Sequence, residues 1–227
     1  MNNNIKLNMF KYYDERASEY DEIYLHGKCS TAINNPKAYI EDAEELNRIV
    51  SNICLGNILD IPCGTAFWQP AYAERCTSVL LLDQSANMLE LSKSRARANS
   101  IENRCKFVQA DILNFDLESE KYDVILLGFF ISHLNEDEEF RFLSGMKNSL
   151  KKEGRLLALD SSWSEERAKA SSNKEGGLIR RLNNGNEFEI YKKYFEPKDI
   201  DRIGKKYNLK MKIHHFGSVF CAFSGTV

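Results

Sequence analysis

Short apolar runs that alternate with polar, helix-like stretches constrain this chain more than any other feature of its sequence. Five such runs are Ile58–Ile61, Val79–Leu82, Lys106–Val108, Val124–Leu127 and Leu156–Leu159. Most are rich in branched residues, which is typical of parallel strands that are buried on both faces. Because strands that alternate with helices form βαβ units, the sequence predicts an α/β fold around a mostly parallel sheet.

The helices between these runs carry recognisable start signals. Ser85 can cap a helix that contains Met88, and Asn135 can cap another whose first turn holds four acidic residues. For this second helix the periodicity predicts an apolar face that includes Phe140. The helices therefore have defined beginnings that agree with the strand pattern.

The segments on either side of the five runs predict an elaborated single domain over residues 1–227. Residues 1–55 are expected to form a helical cap, and residues 56–160 form the core. Asn184-Gly185 lies between two candidate strands, Leu178–Leu182 and Glu187–Tyr194, and predicts a β-hairpin within an inserted lid at 161–196. Pro197 is expected to open a closing helix, and two strands that turn near Gly217 complete residues 197–227.

Composition narrows the class of protein. The net charge of −2 argues against a nucleic-acid partner, which usually requires a basic surface. We find no apolar stretch long enough for a signal peptide or a membrane span, so we expect a cytoplasmic protein without a membrane partner. The six cysteines form no C-x-x-C pair and predict free thiols rather than a metal site. Monomer and homodimer both remain open.

The segment Ile58–Ala66 predicts a strand that enters a tight turn, which is where doubly wound sheets bind cofactors. The final glycine of G-x-G-x-x-G is absent after Gly64, so a dinucleotide pyrophosphate would fit badly. Asp83 ends the second strand, where an acid can accept both hydroxyls of a ribose. Asp111 ends the third, where it can accept from an adenine amino group while the Ile112 amide donates to a ring nitrogen.

Four motifs in order, ILDIPCGTA, LLLDQSANML, QADI, and YDVILLGFFISHL followed by LKKEGRLLALD, resemble those of class I S-adenosylmethionine-dependent methyltransferases. The resemblance covers residues 57–160, and YYDERASEYDEIY resembles the N-terminal cap of the members that act on small molecules. It implies a Rossmann-like, doubly wound, mostly parallel seven-stranded sheet with an N-terminal helical cap and an inserted β-hairpin. It also implies methyl transfer from S-adenosylmethionine, with S-adenosylhomocysteine as product, to a nitrogen or oxygen of a small-molecule metabolite.

The resemblance also implies roles for individual residues around the cofactor. Asp60, Gly64 and Gly128 would lie near the methionine part, while Met88 would pack on the ribose and adenine side. The full set of expected cofactor-binding residues is Tyr13, Tyr20, Asp60, Gly64, Asp83, Gln84, Met88, Asp111, Ile112 and Gly128.

Two positions depart from the family pattern. Pro62 removes an amide donor, and Ala66 adds a methyl group where the usual glycine allows unusual dihedral angles. A binding module without catalysis is therefore kept as an alternative. A nicotinamide-dependent oxidoreductase is the other alternative, although the missing third glycine of the turn disfavours it.

His133 follows the fourth strand and is the candidate catalytic residue, because a neutral imidazole can take a proton from a substrate hydroxyl or amine. The alternative is a histidine at a helix start that only hydrogen-bonds the loop. The residues expected to contact substrate are Phe129, Trp163, Arg180, Arg181, Tyr191 and Lys192. The last four lie on the predicted hairpin and can bind an acidic substrate, but they also suit a solvated face or a dimer contact.

Overall fold

The computed structural model of the chain describes residues 3–27 and 33–227. Cys29, one of the cysteines expected to be a free thiol, lies outside this part of the chain. The described strands are β1 Gly56–Asp60, β2 Cys76–Asp83, β3 Cys105–Gln109, β4 Tyr122–Gly128, β5 Leu150–Ser161, β6 Glu175–Arg181, β7 Glu187–Lys193, β8 Lys210–Phe216 and β9 Phe220–Thr226.

Seven of these strands form one sheet in the order β3-β2-β1-β4-β5-β9-β8. Strands β1 to β5 pair in parallel, whereas β9 runs antiparallel to both β5 and β8. The separate β6–β7 hairpin pairs antiparallel. The predicted α/β architecture, with a mostly parallel seven-stranded sheet and an additional hairpin, is confirmed.

Both faces of the sheet are covered, which explains why its strands are continuously apolar. Ile58 and Leu81 belong to the hydrophobic cluster on one face, while their neighbours Leu59 and Leu82 belong to the cluster on the other. All four side chains are fully buried. Since alternate strand residues point to opposite faces, a strand buried on both sides has no polar positions between its apolar ones.

Along the chain, the helices lie before, between and after the predicted strands. Their bounds are α1 Asn3–Glu15, α2 Glu22–His26, α3 Pro36–Ile53, α4 Gln69–Tyr72, α5 Ala86–Ala98, α6 Glu136–Ser149, α7 Glu165–Ala170 and α8 Pro197–Tyr207. The helix after the first turn, α4, has a single turn, and α7 forms within a polar stretch where no helix was expected.

The expected helix caps are present. The Ser85 hydroxyl accepts from the Met88 amide at 3.1 Å, and Asn135 forms a reciprocal capping box with Glu138. The predicted apolar face of α6 is wrong in one respect, because Phe140 is 52% exposed and Phe142 is buried instead. The helix is rotated so that Phe142 faces the sheet, and the periodicity alone did not determine this rotation.

The hairpin packs against the N-terminal cap rather than standing apart. Tyr12 of α1 lies in a small hydrophobic cluster with Leu182 and Ile190, and its ring centroid is 5.8 Å from that of Phe188.

Among the described residues, no helix is both long and apolar enough to cross a membrane.

Candidate active site

A cavity of about 800 Å³, part of it open to solvent, lies at the carboxyl ends of β1, β2 and β4. We call it the first cavity. Nine residues of the predicted cofactor-binding set line it, namely Tyr13, Tyr20, Asp60, Gly64, Asp83, Gln84, Met88, Ile112 and Gly128. The chain elements that carry them are far apart in sequence, and the parallel sheet brings them together because its strands end at one edge.

Asp111 is the member of the set that lies outside the first cavity. Its side chain is exposed and borders a neighbouring cavity that shares Gln84 and Ile112 with the first. Both of its oxygens accept hydrogen bonds within its own turn, from the Leu113 amide at 3.0 Å and from Asn114 Nδ2 at 2.7 Å. Its role as an adenine contact stays a prediction.

Asp83 orders the turn that carries the first cavity. Its Oδ2 accepts from the Gly64 amide and its Oδ1 from the Ser85 amide, each at 2.9 Å. Burial raises the pKa of Asp83 to about 6 despite these hydrogen bonds. Since each carboxylate oxygen can accept more than one hydrogen bond, both can still receive hydroxyl donors from a ligand.

Asp60 is the second buried carboxyl group of the first cavity. The Tyr72 hydroxyl donates to its Oδ2 at 2.8 Å, yet burial raises the pKa of Asp60 to about 8. No lysine or arginine is among the described residues that line this cavity. Two carboxyl groups without a neighbouring cation favour a ligand that carries positive charge.

Glycines keep space open at two points of the first cavity. Gly64 has φ of +51°, a conformation that side chains rarely adopt. A Cβ built on Gly128 would have Trp68 Nε1 as its nearest neighbour, at 4.0 Å, so this glycine leaves free volume at the end of β4. Ala66 adopts φ of +54°, which confirms that its position requires the unusual dihedral angle expected there.

The N-terminal cap is tied to the rim of the first cavity. Asp14 accepts from the Ser85 hydroxyl at 2.6 Å and from Asn87 Nδ2 at 3.1 Å. Asp21 accepts from the Thr65 hydroxyl and from Arg95, each at 2.6 Å. These contacts hold the tyrosines of the cap against the cavity.

His133 is buried and has both ring nitrogens engaged. Its Nδ1 lies 2.6 Å from the carbonyl oxygen of Tyr191, which can only accept, so Nδ1 carries the hydrogen. Its Nε2 lies 2.6 Å from the Tyr13 hydroxyl, which therefore donates to it. Burial, with the nearby Lys192 charge, holds the pKa of His133 well below its usual value, so the ring is neutral.

A second cavity of about 530 Å³ adjoins the first under the cap and the hairpin. The two cavities share a wall made of Tyr13, Tyr20, Tyr24, Phe129 and His133. The basic side chains that line the second cavity are Arg16, Arg167, Arg180 and Lys192, and no carboxylate is among its described lining residues. It therefore has the opposite charge character to the first.

The predicted substrate residues are divided by the structure. Phe129, Arg180 and Lys192 line the second cavity. Arg181 is exposed and pairs with Glu187 on the outer side of the hairpin. The two other members, Trp163 and Tyr191, have side chains outside both cavities, with the Trp163 ring beside Tyr194 and the Tyr191 hydroxyl on Glu175.

Several cavity residues were not singled out from the sequence. Tyr24 belongs to the tyrosine-rich segment of the cap, and that spacing was a usable signal. Arg167 lies in a polar stretch rich in charged residues, where nothing distinguishes it from its neighbours. Only the tertiary structure brings it into the second cavity.

Comparison with known proteins is consistent with this geometry. A methyltransferase domain family matches residues 58–154. A demethylmenaquinone methyltransferase of Geobacillus sp. (strain WCH70) is 24% identical over 159 residues, which cover 68% of this chain and 66% of the relative. A 2-phytyl-1,4-naphtoquinone methyltransferase of Trichormus variabilis is 29% identical over 105 residues, 45% of each chain. The chain thus spans two thirds or less of these relatives.

Among solved structures, the DhpI-SAM-HEP complex has a TM-score of 0.79 and 19% identity, and the alignment covers 100% of both chains. At that identity the likeness shows a shared fold over the length of both chains. A nicotinamide-dependent oxidoreductase is not supported by any of these matches. Residues 58–154 are therefore similar to a methyltransferase domain, and the chain as a whole shares its fold with the DhpI-SAM-HEP complex.

Proposed function

We propose that the protein transfers the methyl group of S-adenosylmethionine to a nitrogen or oxygen atom of a small molecule held in the second cavity. The observation that carries this proposal is the pair of buried carboxyl groups, Asp60 and Asp83, in a cavity whose described lining has no basic residue. A ligand with a sulfonium and an ammonium group would supply the missing positive charge.

The residues of the first cavity fit the parts of this cofactor. Asp83 would accept the ribose hydroxyls with the lone pairs that the Gly64 and Ser85 amides leave free. Buried Ile112 would lie against the adenine, near the cavity that Asp111 borders. Asp60 would interact with the amino-acid part, and the space above Gly128 would accommodate it.

The cofactor supplies a methyl group on a positively charged sulfur, which leaves as a neutral thioether. The protein then has to align an acceptor atom with that methyl group and to exclude water, and such positioning can contribute about 7–11 kcal/mol. The wall shared by the two cavities, with Phe129 and Tyr13, is where acceptor and methyl group would meet. The names of the relatives, demethylmenaquinone methyltransferase and 2-phytyl-1,4-naphtoquinone methyltransferase, support a small-molecule acceptor.

The Asp83→Asn variant tests the cofactor site. Loss of the charged acceptor should weaken S-adenosylhomocysteine binding by about 10-fold or more, since hydrogen bonds to charged groups contribute about 1.5–3 kcal/mol. Isothermal titration calorimetry on protein stripped of carried-over ligand measures this. The control is Asp116→Asn, an exposed carboxyl outside the first cavity, which should leave the affinity unchanged.

Turnover is tested separately with methyl-labelled S-adenosylmethionine and a panel of small metabolites. Transfer of label to a panel member supports the proposal. Tight cofactor binding without transfer to any metabolite would instead favour a binding module, and absence of affinity for both S-adenosylmethionine and S-adenosylhomocysteine would reject the cofactor assignment.

A further inference from the structure

We infer that the second cavity binds a small oxyanion, a carboxylate or a phosphate, and that this anion is the methyl acceptor and is methylated on oxygen. The inference rests on the proposed function for the origin of the methyl group. It deepens that proposal by naming the chemical class of the acceptor.

The strongest indication is the surroundings of Arg167, which is 2% exposed and lines the second cavity. Its Nε donates to the carbonyl oxygen of Ser162 at 2.8 Å and its NH2 group to that of Val219 at 3.2 Å. Its guanidinium carbon lies 4.2 Å from the centre of the Tyr194 ring. No carboxylate of a described residue forms an ion pair with Arg167, so its buried charge is solvated by dipoles alone.

Two further arginines line the same cavity. Arg180 is 9% exposed, and its NH2 group donates to the Tyr194 hydroxyl at 3.3 Å. Arg16 lies over the Tyr20 ring at 4.9 Å from the centroid. Guanidinium groups in a tyrosine-lined cavity are suited to bidentate recognition of a carboxylate or phosphate.

Lys192 does not account for the positive character of the second cavity, because it has an internal counterion. Its ammonium group donates to Asp160 at 3.1 Å and to the Ser132 hydroxyl. Asp160 also accepts from the amides of Ser161 and Ser132, at 2.8 and 3.1 Å. This buried network is close to neutral, so the buried cation of the cavity that forms no ion pair with a described carboxylate is Arg167.

The second indication is that none of the described residues of the shared wall offers a free general base. His133 donates from Nδ1 to a carbonyl oxygen, and its Nε2 is occupied by the Tyr13 hydroxyl. Burial raises the pKa of Tyr13, Tyr20 and Tyr24, so these phenols stay protonated. A protonated amine or an alcohol has to lose a proton before it can accept the methyl group, whereas an oxyanion does not.

The transfer therefore balances without a base. A lone pair of the anionic oxygen forms the new C–O bond to the methyl carbon, the C–S bond breaks, and its electron pair remains on sulfur. One negative charge of the acceptor and the positive charge of the sulfonium disappear together, and the products are a methyl ester and a neutral thioether. No proton is released.

The test measures binding of probe anions to the full chain, with and without saturating S-adenosylhomocysteine. The probes are benzoate and inorganic phosphate, and benzamide is the neutral match of benzoate. We expect at least one anion to bind about 10-fold or more tightly than benzamide. Arg180→Met and Arg167→Met should each weaken the binding of that anion by about 10-fold or more, while the affinity for S-adenosylhomocysteine changes less than about 2-fold.

Arg181→Met is the matched control, because it removes the neighbouring charge on the outer side of the same strand. Arg180→Met decides the test if Arg167→Met fails to fold, since Arg167 also holds two backbone carbonyls. The inference is overturned if neither anion binds although S-adenosylhomocysteine does, if benzamide binds as tightly as the tighter of the two anions, or if Arg180→Met keeps the affinity for that anion. Anion binding without any binding of S-adenosylhomocysteine would instead overturn the proposed function and, with it, the acceptor role.

Discussion

The Asp60→Asn variant should change how the stability of the protein depends on pH. Burial raises the pKa of Asp60 to about 8 in the folded protein, from a value of 3.8 when it is unburied. Between pH 5 and pH 7 the carboxyl group is therefore protonated in the folded state and ionised in the unfolded state. The stabilising contribution is complete below the lower pKa and is lost as pH rises through the upper one.

The size of the effect follows from this one-proton difference. The free energy of unfolding of the wild type should fall relative to the variant by about 1.4 kcal/mol per pH unit, or about 2.7 kcal/mol between pH 5 and pH 7. The pKa of Asp83 is also raised, to about 6, so the free energy of unfolding falls further as pH rises toward 6. Because Asp83 is present in both proteins, this contribution largely cancels in the comparison. Denaturant unfolding of ligand-free protein at pH 5, 6 and 7 measures the difference.

Asp123→Asn is the control, because Lys151 and the Asn57 amide donate to Asp123 and hold its pKa below the usual value of 3.8. A carboxyl with a lowered pKa contributes stability that is lost only as pH falls through that value. The wild type and this variant should therefore differ by a constant amount between pH 5 and pH 7. The reasoning about Asp60 is refuted if its variant also differs from the wild type by a constant amount over this range.

Three further predictions concern single residues. His133 should show the neutral Nδ1–H tautomer in ¹H–¹⁵N correlation spectra at pH 6, and a protonated ring there would contradict the hydrogen bonds described above. Lys192→Met should lower the free energy of unfolding by about 3–5 kcal/mol, because it leaves Asp160 buried without its cation. Arg181→Met should lower it by less than about 1 kcal/mol. Equal losses of the two variants in denaturant unfolding would show that burial is not the cause. Gly128→Val should leave the melting temperature nearly unchanged but weaken S-adenosylhomocysteine binding at least about 10-fold, because its side chain would occupy open cavity space; unchanged affinity would place the ligand elsewhere.

Much of the fold could be predicted because its signals are local. The five apolar runs, the Asn184-Gly185 turn and the caps at Ser85 and Asn135 each depend on residues close together in sequence, and all are confirmed. The carboxylates of the first cavity were also identifiable, because the ends of parallel strands meet at one edge whatever else the chain does. Phe140 shows the limit of this reasoning, since the rotation of a helix is decided by the surface on which it packs.

The second cavity shows what local signals do not contain. Arg180 and Arg181 are adjacent and chemically identical, yet the first is buried in the cavity and the second is exposed beside Glu187. Arg167 comes from a polar stretch that folds into an unexpected short helix, and Arg16 comes from the opposite end of the chain. No pattern in the sequence indicates that these arginines line the same cavity.

The amino-acid sequence alone determined the layered architecture and the place of the carboxylate-lined cavity. Both follow from patterns of residues that are close together in sequence and from the ends of parallel strands, which meet at one edge. Only the tertiary structure decided which basic residues line the second cavity. It also decided that the Tyr13 hydroxyl donates to Nε2 of His133. Those contacts join segments more than a hundred residues apart, and they depend on how the cap and the hairpin pack over the sheet.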